Sequence, residues 1–205
     1  MLHLSTVDTT TLELLKKLMG FNDFAKLRLV GGTALALHLG HRKSIDLDLF
    51  GDVEFEDINI AKLFNDFKSV ITLKKSKNIN IFSINNVKVD FVNYSYPWIQ
   101  QQLLIDSLRL AGTEDIAAMK LAAITGRGSK KDFVDIYFLL QKYSLRKMLD
   151  FYKIKYFDGS EYLVIKSLTY FDDAEKDNGL EMLINVSWTT VKKKILKEVS
   201  NYIQT

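Results

Sequence analysis

Two carboxylates one residue apart, Asp46 and Asp48, interrupt the otherwise oily stretch "SIDLDLF" (Ser44–Phe50). Alternate side chains of a strand point the same way, about 6.6 Å apart along the chain. Both acids would then share a face opposite Ile45, Leu47 and Leu49. Like charges that close raise each other's pKa, and a divalent cation between them removes the conflict. Carboxylate oxygens suit Mg²⁺ or Mn²⁺, which need neither sulfur nor imidazole. Asp90, between Val89 and Phe91 in "NNVKVDFVNY", adds a third acid if its strand lies beside Ser44–Phe50, because paired strands sit about 4.8 Å apart. Three carboxylates on two strands can hold two metals for in-line phosphoryl transfer. The plain alternative is an exposed acidic strand face with Asp90 at a strand end.

Groups suited to an anion flank these acids. Gly31-Gly32 follows a short apolar run and precedes a helical one. Such a turn lets backbone N–H groups approach phosphate closely, and the helix N-terminus adds partial positive charge. Thr33 could add a hydroxyl donor, and Arg42-Lys43 could either touch a triphosphate or solvate the turn. Lys120 lies mid-helix among apolar neighbours, where its ammonium either meets an anion or snorkels to water. "GRGSKKD" places Arg127, Lys130 and Lys131 in a donor-rich loop. Asp132 and Asp135, three apart, share a helical face and either serve a site or cap the helix and pair with Lys131. His38 and His41 read as packing and surface residues, and Tyr94, Tyr96 and Trp98 as core or base-stacking residues.

The elements that must position these groups follow from periodicity. Asp8–Met19 has helical spacing with Asp8 or Thr9 as N-cap. Leu27–Val30 reads as a strand, a two-turn helix runs from Thr33 to Gly40, and Ser44–Phe50 is a second strand. A helix is predicted over Asp57–Phe67, then strands over Val70–Lys74, Ile79–Ile84 and Val87–Asn93, the last two joined by Asn85-Asn86. Pro97, the sole proline, marks an irregular crossing, and from Thr113 the pattern is helical nearly to the end. The expected fold class is therefore α+β, with an α/β half over residues 1–110 and a helical half over 111–205.

Bulk properties exclude several classes. The chain has 205 residues, 47% hydrophobic and 26% charged, with net charge +3. Residues 1–100 hold 12 Lys+Arg against 11 Asp+Glu and residues 101–205 hold 16 against 14, so any nucleic-acid partner needs local patches rather than a basic domain. Without cysteine there are no disulfides or thiolate metal sites, which fits a cytoplasmic protein. The first residues lack a signal-peptide pattern, and no apolar run approaches the ~20 residues a membrane span needs.

The order "VGG", thirteen residues Thr33–Ile45, then "DLDL" resembles the nucleotidyltransferase superfamily typified by DNA polymerase beta. "GGTALALHLGHRKSIDLDLF" together with "EDIAAMKLAAITGRGSKKDFVDIYFLL" resembles, within it, the AbiEii/AbiGii toxin family of abortive-infection and toxin–antitoxin systems. The likeness covers about residues 27–141. It implies a nucleotidyltransferase core with a small mixed or antiparallel sheet, followed by a helical bundle. It implies Mg²⁺-dependent transfer of NMP from an NTP to an acceptor hydroxyl, with RNA (the tRNA 3′ end) as acceptor and a cognate antitoxin as partner. By that resemblance Gly31, Gly32, Thr33, Lys120, Arg127 and Asp132 hold the nucleotide. Asp46, Asp48 and Asp90 hold metal, with Asp90 activating the hydroxyl, and Asp135 takes part directly. Two other readings stay open: a silent nucleotide- or partner-binding protein on this fold, and a transferase acting on a protein or small molecule.

Overall fold

The computed structural model describes residues 1–55, 64–177 and 179–204. Helix α1 (Thr9–Met19) starts where its cap predicts: Asp8 accepts from the backbone N–H and the hydroxyl of Thr11, both at 2.8 Å. Leu14, Leu15 and Leu18, at helical spacing, are buried in the core.

Seven strands form one mixed sheet: β1 (Arg28–Val30), β2 (Leu47–Gly51), β3 (Val70–Lys75), β4 (Ile79–Ile84), β5 (Val87–Asn93), β6 (Leu103–Ile105) and β7 (Leu108–Leu110). Their order across it is β3-β4-β5-β2-β1-β7-β6. Strand β2 runs antiparallel to β1 and parallel to β5, with Asp48 opposite Val30 on one side and Asp90 on the other. Leu47, Leu49, Val89 and Phe91 are fully or almost fully buried on one face. The opposite face of β2 and β5 carries Asp48, Phe50, Asp90 and Val92, all half-buried.

Helix α2 (Gly31–Leu39) follows β1 directly and ends at Gly40, whose φ of 68° is the left-handed cap that glycine adopts most readily. After the sheet come α3 (Thr113–Gly126), α4 (Lys130–Leu139), α5 (Leu145–Lys155), α6 (Glu161–Leu168), the single turn α7 (Asp172–Glu175) and α8 (Trp188–Ile203). α2 packs on α3 and α4, which joins the sheet to the helical half. A second tie is the buried pair of Lys155 Nζ and Asp115 (2.8 Å), where Asp115 also accepts the N–H groups of Ile99 and Gln100. Among the described residues, no helix is long and apolar enough to cross a membrane.

The structure departs from the sequence pattern in three places. Strand β2 begins at Leu47, not Ser44, and Ile45 is exposed rather than inward. The cause is local: Thr33 Oγ1 donates to the Asp46 carbonyl, and Ser44 N donates to Thr6 O at 3.0 Å, so residues 44–46 are pinned off the ladder. Helix α2 starts two residues early, at Gly31. Residues 103–110, to which the sequence pattern assigns no element, form the β6–β7 hairpin around Asp106 and Ser107, both at positive φ like the expected Asn85-Asn86 turn. Most of the helix predicted over Asp57–Phe67 lies outside the described residues.

Candidate active site

The two glycines are each explained by a different neighbour. Gly31 has φ +69°, and a Cβ there would lie 2.0 Å from Asp48 Oδ2. At Gly32 a Cβ would lie 2.3 Å from Arg42 Nη2. The pair thus admits an acid on one side and a guanidinium on the other. A Gly31→Ala variant combines backbone strain with a clash that displaces the Asp48 carboxylate. The nucleotide transfer that the resemblance implies should fall at least about a hundredfold, the order expected for ångström-scale misplacement. Unchanged turnover with labelled NTP would show that Asp48 need not sit there.

Asp48 and Asp90 stand side by side across β2 and β5. Burial, then the charge of Asp90, pushes the Asp48 carboxyl up to about 6, against the opposing charges of Lys120 and Lys88. Lys88 pairs with Asp90 at 2.6 Å from the same strand. Asp46 precedes the ladder but lines the same cavity. Among the described residues, no group of three or more His, Asp or Glu side chains is close enough to hold a metal ion by itself. Mg²⁺ does not require that, since it commonly takes one or two carboxylates plus substrate phosphates and waters. The donors here are all oxygen, and Asp48, whose ionisation burial and the neighbouring Asp90 resist, stands beside a second carboxylate, so the residues suit a hard divalent cation.

Behind the acids lies a buried network of charges. Lys120 Nζ reaches Asp132 Oδ1 at 2.9 Å and Asp135 Oδ2 at 2.6 Å. Arg42 grips Asp135 through two bonds, Nε to Oδ1 at 2.7 Å and Nη2 to Oδ2 at 2.9 Å, and His41 Nε2 meets Oδ1 at 2.8 Å. Arg127 Nε and Ser129 Oγ both donate to Asp132 Oδ2. Burial opposes ionisation of Asp135, but the charges of Lys120 and Arg42 and the bonds from Arg42 and His41 outweigh it, holding it well below the usual carboxylate range. Asp132 is lowered to about 2: burial is overcome by Lys120, Arg127 and Ser129. The same acids raise Lys120 despite its burial, so it stays an ammonium.

Two chambers meet at these residues. A polar one of about 410 Å³ is walled by Gly32, Arg42, Lys43, Lys120, Arg127 and Lys131, with the acids at its edge. An apolar one of about 470 Å³ is walled by Val30, Phe50, Ile116, Met119 and Tyr156. Asp48, Asp90, Lys120 and Arg127 line both. No side chain among the described residues caps the α2 N-terminus, so its first N–H groups are available to an anion.

The structure thus brings Asp46, Asp48, Asp90, Lys120, Arg127 and the two glycines to one place. Thr33 lines the polar chamber, but its hydroxyl is directed to Asp46 O and, at 2.8 Å, Ser44 Oγ. Asp132 and Asp135 are fully buried, and the contacts described tie them to Lys120, Arg42, Arg127, His41 and Ser129, not to the cavity. Sequence reading missed His41 and Arg42 as partners of Asp135, 94 and 93 residues away. It also missed Lys88, although its i, i+2 spacing from Asp90 was a visible signal.

Comparison with known proteins gives three results. Residues 13–201 match the family described as "Nucleotidyl transferase AbiEii toxin, Type IV TA system". An uncharacterised protein of Aquifex aeolicus is 34% identical over 198 residues, 94% of this chain and 95% of that one. Among solved structures, MenT4, a nucleotidyltransferase toxin of Mycobacterium tuberculosis, superposes with a TM-score of 0.64 at 14% identity, over 94% of this chain and 81% of that one. JHP933 from Helicobacter pylori gives 0.53 at 18%, over 97% and 100%. Both structures share the fold.

Proposed function

The chain belongs to the AbiEii nucleotidyltransferase toxin family, and from that premise we propose that it moves NMP from an NTP to the 3′ hydroxyl of an RNA, the tRNA end, in a Mg²⁺-dependent reaction. The observation that carries this is the junction of a cation-walled chamber and an apolar chamber at Asp48 and Asp90.

In this reading the triphosphate lies in the polar chamber. Arg42, Lys43, Arg127 and Lys131 face its oxygens, and the α2 N–H groups receive it as fixed dipoles. Lys120 presents one ammonium between the buried acids and the cavity, already oriented before substrate arrives. Asp46, Asp48 and Asp90 would hold Mg²⁺ or Mn²⁺, which when bound supplies positive charge to the phosphates. The acceptor oxygen forms a new bond to the α-phosphorus as the α–β bridging P–O bond breaks and pyrophosphate leaves. The hydroxyl proton passes to the Asp90 carboxylate. Asp132 and Asp135 act as positioning residues, setting Lys120, Arg42 and Arg127. A cytoplasmic site of action and a cognate antitoxin complete the proposal.

Incubation with each α-labelled NTP, Mg²⁺ and total RNA tests it. Label is expected in an RNA band the size of tRNA. Label on protein or on a small molecule, or no product while inorganic tripolyphosphate still binds, would overturn the assignment.

A further inference from the structure

A third cavity, of about 680 Å³, opens on the same side of the sheet and is used by nothing described so far. Lys26, Arg28, Asp52, Trp98, Gln101 and Gln102 line it. Arg28 is opposite Phe50 in the β1–β2 register, and Val30, two residues on, is opposite Asp48. Side chains two apart on a strand share a face, about 6.6 Å apart along it. Arg28 therefore sits one such step along the sheet and one strand across from Asp48, beside Phe50, which walls the apolar chamber. Polar chamber, acids, apolar chamber and Arg28 cavity succeed one another along one face.

The Arg28 side chain is built into this place. Its guanidinium stacks on the Trp98 ring at 3.9 Å, while Lys155 Nζ lies 4.3 Å from the centroid of the same ring. Nη1 donates to Gln100 O at 3.3 Å. Among the described residues nothing accepts from its buried Nε. A buried donor without a partner is costly unless a ligand or water completes it. Lys26 is paired with Asp52 at 2.6 Å, whereas among the described residues no carboxylate forms a direct ion pair with Arg28, which feels the charge of Asp115 only from a distance. Gln101 and Gln102 add exposed amides that can meet base edges.

In-line displacement needs the attacking hydroxyl opposite the departing pyrophosphate. With the triphosphate among the cations of the polar chamber, the acceptor comes from the apolar side. We infer that the Arg28–Trp98 cavity is the acceptor subsite, holding a single-stranded RNA end by a backbone phosphate on Arg28 while the terminal nucleoside enters the chamber of Phe50 and Tyr156. This rests on the reading of the polar chamber as the triphosphate site. Arginine suits the role, since its planar fork matches phosphate and its position is fixed by stacking.

The test uses the full chain and a 5′-fluorescein RNA dodecamer of mixed sequence, followed by anisotropy across a salt series. Arg28→Ala should weaken dodecamer binding about tenfold. It should also lower the slope of log affinity against log salt by about 0.7, the value for one phosphate contact on a single strand. Arg28→Lys should restore the slope but not all of the affinity. Tripolyphosphate binding, unchanged in both variants, controls for folding. An unaltered salt slope in Arg28→Ala would overturn the subsite. The outcomes separate the two readings. NMP transfer to RNA with an Arg28→Ala protein that binds the dodecamer normally removes the subsite alone. A lost slope with no NMP transfer by the wild type leaves the subsite and removes the transferase assignment.

Discussion

Replacing Asp48 by Asn is expected to lower NMP transfer about a thousandfold or more and at the same time to raise thermal stability at pH 8. The loss follows from removing the carboxylate most central to the proposed metal-binding set, an effect of several kcal/mol at about 1.4 kcal/mol per factor of ten. The gain follows from linkage. The Asp48 carboxyl titrates at about 6 in the folded protein, against an ordinary value of 3.8. The folded state therefore holds this proton more tightly than the unfolded state. Ionisation costs stability increasingly as pH rises from about 4 through 6, and the full cost persists above that. Asparagine carries no such cost, so the variant's advantage should be largest at pH 7–8 and vanish below pH 4. Melting curves across that range check the sign. A variant less stable than wild type at pH 8 would show that Asp48 is held by favourable partners rather than by a repelling neighbour.

Truncating Asp135 to Ala should have the largest effect on stability. It leaves Arg42 without its carboxylate and removes one of the two acids on Lys120, all within a buried site. Removing one partner of a buried ion pair costs about 3–5 kcal/mol. For a chain of this length that is a fall of roughly 6–20 °C in melting temperature. The acid side of the stability profile should change too. Asp132, at about 2, and Asp135, lower than the ordinary range, are both depressed in the folded state. Their contribution is complete above about pH 4 and is lost as pH falls towards 2. The variant should lose less stability over that interval than the wild type. A melting point within a degree or two of wild type would mean the network does not hold α4 to the loop carrying Arg42.

These two expectations differ in how far the sequence revealed them. Asp48 is legible in the sequence: period-two alternation marks its strand, the acid pair suggests the chemistry, and the strand of Asp90 lies beside it in the sheet. The network around Asp135 is not. A pair of acids at i, i+3 in a helix says nothing about an arginine 93 residues earlier, because that contact exists only once α2 and α4 pack. Arg42 reads from sequence as a triphosphate or turn residue and His41 as a packing or surface residue, since a buried partner far along the chain cannot be read from local spacing. Asp46 was misplaced on the ladder for a related reason: the Thr33 hydroxyl, a helix residue, takes its carbonyl away from strand pairing. The β6–β7 hairpin was overlooked because Asp-Ser is a weaker turn signal than Asn-Asn, although both adopt positive φ here. The long helices after Thr113, with strong three-to-four spacing, were the easiest elements to foresee.

The space above each glycine has a consequence for how this chain can vary. Position 31 is tied to position 48 and position 32 to position 42, because each missing Cβ is filled by the partner's functional atom. The adjacent glycines thus answer to two different neighbours. A side chain at 31 has to displace the carboxylate of Asp48, and a side chain at 32 has to displace the guanidinium of Arg42. Two neighbouring positions in the chain are therefore separable handles, one on the acids and one on the cations of the polar chamber.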